Sequence, residues 1–129
     1  MKKPSIQFEI LKEDIGYSAY TSLKNRTITT QGDTLYELKE MIVEAVNLTF
    51  EDLNFKYSID EIKLYFNLHS FFSHYKVINV KALSERIGMN QTLLSQYIKG
   101  RKSPSIKQRQ RILKGVHDVA RELLDVKIL

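Results

Sequence analysis

Gln91, Thr92, Ser95, Gln96 and Lys99 are the residues of this chain whose types and spacing point most directly to chemistry. An amide can pair bidentately with an adenine edge, and a hydroxyl can bond to several bases, so a helix face built from them can read a DNA major groove. Periodicity places them together. Leu94, Tyr97 and Ile98 recur at i, i+3 and i+4 and should turn inward, which leaves those five outward. The elements that must hold this helix are also legible. Asn79 can cap a preceding short helix that carries Leu83 and Ile87, Gly88 can close it with a positive φ, and Asn90 can cap the polar helix directly afterwards. Two helices joined by so short a glycine turn cross steeply.

An ordinary αα-hairpin with a hydrated polar face would share this pattern. Charge separates the two readings. Arg86, Lys99, Arg101, Lys102, Lys107, Arg109, Arg111 and Lys114 fall between Arg86 and His117, and that interval contains no Asp or Glu. A solvated helix normally mixes signs, so a one-sign stretch suggests a polyanionic partner. The sequence therefore predicts a DNA-binding helix-turn-helix whose outward face, Gln91, Thr92, Ser95, Gln96 and Lys99, has the chemistry for direct readout, with Arg101 and Lys102 among the cations that follow.

Catalytic patterns are absent. The three histidines, His69, His74 and His117, have no metal-ligand spacing, and the chain has no G-x-S-x-G, G-x-G-x-x-G or P-loop pattern. A two-metal nuclease would need several converging carboxylates. Near the first strands only Glu9, Glu13, Asp14 and Asp33 are available, and turns account for Asp14 and Asp33. The expectation is a non-enzyme with no cofactor, no metal and no catalytic residue. Cysteine is absent, which excludes disulfides and thiolate metal sites. No apolar run approaches the ~20 residues of a membrane span, so a soluble, cytoplasmic protein with no membrane partner is expected.

The net charge of +5 conceals two different halves. Residues 1–75 carry 8 Lys and Arg against 11 Asp and Glu, net −3, whereas residues 76–129 carry 12 against 4, net +8. The basic half suits phosphate, and the mildly acidic half suits a basic protein or no ligand. Ile6, Phe8 and Ile10 alternate, Asp14-Ile15-Gly16 reads as a turn into a second strand, and Lys24-Asn25-Arg26 reads as a turn into a third strand ending at Gly32. Thr34 and Glu37 have capping-box spacing at the head of a helix over 34–49. Ile62, Leu64, Phe66 and Leu68 alternate as a fourth strand, although Ser58 and Glu61 could cap a helix. His69–Lys76 is expected to open the C-terminal domain, placing the boundary at 68/69. Ser103 and Pro104 should start a long helix to about Asp125, whose apolar stripe is wide enough to face both a core and another subunit. The fold class is α+β, with a sheet-plus-helix layer over 1–68 and an all-α domain over 69–129.

Gly88 to Gly100, G-M-N-Q-T-L-L-S-Q-Y-I-K-G, closely resembles the turn and recognition helix of Cro and phage-repressor proteins, a resemblance that implies base contacts from Gln91, Thr92, Ser95 and Gln96 and phosphate contacts at Asn90 and Lys99; Ser84 stands where that class usually has alanine. I-G-Y-S-A-Y at 15–20 and T-T-Q-G-D-T-L-Y-E-L at 29–38 resemble the HicB antitoxin domain, a partial ribonuclease-H-like layer. That family's Pro-x-x-Pro-Gly between strands two and three is replaced here by L-K-N-R. The two resemblances span most of the chain. They imply an antitoxin that masks a HicA-like mRNA-cleaving toxin and, as a homodimer or larger oligomer, represses its own operon at two-fold symmetric operator DNA. A stand-alone regulator, whose N-terminal layer oligomerises or senses a ligand, is the other reading of the same residues.

Overall fold

Ile6, Phe8 and Ile10 are buried while Gln7 and Glu9 between them are exposed, so strand β1 (Ile6–Lys12) has one face in the core and one in water. The structure, a computed structural model, describes residues 2–129 and divides into two units that part between His74 and Tyr75. The first is a four-stranded mixed sheet with helices, and the second is all helical, so the chain is α+β.

β1 pairs antiparallel with β2 (Tyr17–Leu23), and β2 with β3 (Arg26–Gly32). The turn before β2 falls where Gly16 takes φ +76°. Helix α1 (Leu35–Thr49) then crosses over, and β4 (Ile62–Phe66) returns parallel to β1, giving the order β3-β2-β1-β4. Alternation and turn signals in the sequence located all four strands but were silent on the direction of β4. A crossover helix dictates that direction, since a hairpin connection would have made the pair antiparallel. Leu38, Ile42 and Val46 of α1 pack with Ile6, Phe8, Ile10, Ala19 and Ile28 of the sheet. Each such burial contributes about 1.5–3 kcal/mol, more than the ~1 kcal/mol span of strand propensities. The buried pattern therefore sets the register.

Thr34 Oγ1 accepts from Glu37 N at 3.0 Å, as expected of an N-cap, while the Glu37 carboxylate reaches Asp33 N at 3.2 Å. Gly32 is needed here because a Cβ at this position would lie 2.6 Å from Leu38 N. Between α1 and β4 the chain makes two short 3-10 turns, Glu51–Leu53 and Ile59–Glu61. Asn47 holds this excursion in place, accepting from Tyr57 N at 2.7 Å and donating to Tyr57 O at 3.1 Å. Ser58 and Glu61 do form a capping box, but on a single turn that leads into the strand.

The expected assignment of residues 69–74 to the C-terminal domain is corrected, while Tyr75 and Lys76 do fall in the second unit. Helix α2 (Leu68–His74) belongs to the sheet unit. Its Ser70 Oγ accepts from Lys12 N at 2.9 Å, His74 Nδ1 is hydrogen-bonded to the Tyr17 hydroxyl, and Phe66 stacks on the His74 ring at 6.0 Å. Phe71 also packs edge-on against Phe66 of β4, at 6.2 Å. β4 stops at Phe66 rather than Leu68 because Asn67 Oδ1 accepts from Ser70 N at 2.7 Å and starts the helix.

In the second unit, α3 (Val80–Ile87), α4 (Gln91–Ile98) and α5 (Ile106–Leu124) surround Leu83, Met89, Leu94 and Ile112. α5 starts one cap later than expected. Two serines flank Pro104, and it is Ser105, not Ser103, whose side chain accepts from Gln108 N, at 3.1 Å. α5 lies against α3 at Gly115, where a Cβ would sit 2.3 Å from Ile87 Cγ2. No helix among the described residues is long and apolar enough to cross a membrane.

Candidate nucleic-acid interface

Three local devices fix the polar helix. Asn79 Oδ1 caps α3 by accepting from Ala82 N at 2.9 Å, and Gly88 ends α3 with φ +66°. Asn90 Oδ1 then caps α4 by accepting from Leu93 N at 3.2 Å. These are the caps that the sequence predicts, and together they leave only Met89 between the end of α3 and the cap of α4. Leu94 is fully buried, whereas Tyr97 and Ile98 are half-buried, so the inward face of α4 is anchored chiefly by one leucine.

Gln91, Thr92, Ser95, Gln96, Lys99 and Arg101 line one shallow surface depression. Gln91, Thr92 and Lys99 are exposed, and Ser95 and Gln96 are half-buried. The depression thus offers amide, hydroxyl, ammonium and guanidinium groups and no carboxylate. Asn90 and Lys102 are exposed but lie outside it, and the Asn90 side-chain oxygen is committed to its cap. Gly100, with φ +76°, follows Lys99 and begins the turn that carries Arg101 and Lys102.

The structure also sorts the eight cations that the sequence treats alike. Arg86 pairs with Glu122 at 2.5 Å, and Lys114 pairs with Asp118 at 2.8 Å. Arg111 donates from Nε to Ile87 O at 3.0 Å and from Nη2 to Gly88 O at 2.8 Å. The other five, Lys99, Arg101, Lys102, Lys107 and Arg109, have no acidic or carbonyl partner among the described residues. All five lie between the end of α4 and the second turn of α5. Lys107 shares a second shallow depression with Ser105, Gln108, Gln110, Arg111 and Lys114 along α5.

Further along α5 the balance reverses. Hydrogen bonds from Lys114, then Arg121, hold the Asp118 carboxyl below its usual range. Sequence reasoning missed the partners of Arg86, Arg111 and Lys114 because they are separated from those residues by anything from four to 36 positions. Only the Lys114–Asp118 spacing of i,i+4 offered a local signal.

Comparison of the chain with protein-family models, with curated proteins and with solved structures finds no match. Among the described residues no group of three or more His, Cys, Asp or Glu is arranged to hold a metal ion.

Proposed function

We propose that this protein is a DNA-binding repressor of the helix-turn-helix type whose sheet unit binds and masks a small basic toxin. The observation that carries the DNA reading is the carboxylate-free depression on α4, which has the unpartnered cations Lys99 and Arg101 in its lining and three more, Lys102, Lys107 and Arg109, following them in the chain. Amides and hydroxyls supply base-edge readout while the cations neutralise phosphate, the division of labour on which sequence-specific binding rests. Gln91, Thr92, Ser95 and Gln96 read bases in this account. Lys99, Arg101 and Lys102 hold the backbone, and Asn90 contributes as the cap that aims α4.

Operator binding by a homodimer follows from the same reading. Ile106, Leu113, Leu123 and Leu124 of α5 are large, apolar and exposed, which supports a second copy as partner. The two α4 helices would then meet half-sites about one helical turn, ~34 Å, or a multiple apart on two-fold symmetric DNA. The toxin-binding half rests on the resemblance of residues 15–38 to HicB antitoxins and on the net −3 of residues 1–75.

Two experiments test the proposal. Selection of bound DNA from a random pool should return a two-fold symmetric sequence, and recovery of unrelated sequences refutes base readout. Expression of the short reading frame that neighbours this one in its genome should arrest growth, and coexpression of this chain should relieve the arrest through a stable complex. A harmless or non-binding neighbour leaves a stand-alone regulator.

A further inference from the structure

The sheet unit has a second face, and its central row is unusual. Glu9 of β1 is paired in register with Tyr20 of β2 on one side and with Tyr65 of β4 on the other, and Tyr20 is paired in turn with Thr29 of β3. Directly paired residues project to the same side of a sheet. One row across all four strands therefore reads Tyr65, Glu9, Tyr20, Thr29, on the side opposite buried Phe8, Ile10, Ala19 and Ile28. All four are exposed, with Tyr20 at 45% and Tyr65 at 52%.

From this row we infer a binding site for an arginine side chain presented by a basic protein. Adjacent strands are ~4.8 Å apart, so the two tyrosines stand about 10 Å apart with the Glu9 carboxylate midway. A cation seated over Glu9 lies ~5 Å from each ring, within the ~6 Å reach of a cation–π contact. Guanidinium fits best, because its planar faces stack on rings while its edge bonds a carboxylate bidentately.

The row is free to accept such a group. Where this unit has a cation to spare it places it on a ring, with Lys3 over Tyr57, Lys12 over Tyr17 and Arg26 over Phe50, yet none lies over Tyr20 or Tyr65. Glu9 forms no ion pair or side-chain hydrogen bond among the described residues. The nearest cation on that face, Lys63, stands one row away, opposite Gln7. The net −3 of residues 1–75 adds long-range attraction for the same basic partner. The site does not depend on the partner being a toxin.

The test titrates the full-length, 15N-labelled chain with the blocked tripeptide Ala-Arg-Ala, and with Ala-Lys-Ala and Ala-Glu-Ala for comparison, following amide shifts. Shifts clustered at Glu9, Tyr20, Thr29 and Tyr65 with Ala-Arg-Ala, weaker with Ala-Lys-Ala and absent with Ala-Glu-Ala, support the site. Tyr20→Leu and Tyr65→Leu should each weaken that binding about two- to fivefold, and Glu9→Gln by a similar factor. All three positions are exposed, and an otherwise unchanged amide spectrum verifies the fold of each variant. Absence of shifts at the row, equal binding of the lysine peptide, or affinity unchanged in Glu9→Gln and in Tyr20→Leu/Tyr65→Leu overturns the assignment.

Discussion

Arg111 on α5 reaches back to the turn at the head of α4 and donates to Gly88 O at 2.8 Å, with a second bond to Ile87 O at 3.0 Å. The last carbonyls of a helix have no partner within it. A guanidinium with two parallel donors satisfies two such carbonyls at once, and its charge is favourable at the negative end of α3. Arg111 therefore acts as a brace for the turn between α3 and α4 rather than as a free cation.

Arg111→Ala should destabilise the helical unit by about 1.5–3 kcal/mol, the range for hydrogen bonds that involve a charged group. Arg111→Lys should recover little of this, since an ammonium cannot span both carbonyls in the same geometry. Urea unfolding followed through amide signals of Leu83 and Leu94 reads the effect. Equal stability of the alanine variant would remove the brace.

Gly115 sets two expectations against each other. Alanine is the better helix former by about 1 kcal/mol, but its Cβ would lie 2.3 Å from Ile87 Cγ2. Overpacking of this kind costs about 1–3 kcal/mol, so Gly115→Ala should be net destabilising. In an Ile87→Ala background, where the clashing methyl is gone, the same substitution should become neutral or stabilising. A double-mutant cycle in urea measures the coupling, and additive effects would contradict the steric account.

For DNA, Gln91→Ala should cost roughly 1–3 kcal/mol on the selected site and broaden base preference, whereas Arg101→Ala should weaken every sequence alike and lower the salt slope by about one. Fluorescence anisotropy at several salt concentrations separates them. Equal losses on specific and random DNA for Gln91→Ala would reassign that side chain to the backbone.

Glu61 gives a pH prediction. Lys3 Nζ lies 2.6 Å from its carboxylate, and that hydrogen bond, then one from Ser58 N, holds its pKa below the ordinary 4.5. A pKa lowered on folding means stabilisation that is complete above the unfolded value and lost as pH falls through the folded one. Lys3→Met should therefore raise the Glu61 titration toward 4.5 and reduce the acid sensitivity of the sheet unit below that pH. Carboxyl 13C shifts of Glu61 report the first effect directly, and an unmoved titration would assign the lowering to Ser58 alone.

Periodicity and capping chemistry were legible where they act over a few residues. The two-residue alternation of β1, the Thr34, Asn79 and Asn90 caps and the turn at Gly88 all lie where the sequence predicts. The fate of His69–His74 was not legible, because Phe71 and Phe72 would fill any adjacent core equally well, and the decision lies in bonds that tie Ser70 and His74 to Lys12 and Tyr17, more than 50 positions away. The roles of the cations were hidden for the same reason. Charge shows only that the cations are there, and geometry shows which of them already have a partner. The row of Tyr65, Glu9 and Tyr20 depends on a register that no single strand records.

The parallel pairing of β1 with β4 also has a consequence for how the chain comes into being. Ile6 cannot find Ile62 until α1 and the two turns beyond it have left the ribosome, so closing the sheet is a long-range event with a large loop to order. The helical unit packs among neighbours within residues 75–129 and needs no strand pairing. During synthesis the half made first is thus the half that must wait for its last strand. Until then the edge of β1 that will pair with β4 keeps its backbone N–H and C=O groups unpaired, which makes the interval before residue 66 emerges the period of greatest exposure to aggregation and proteolysis.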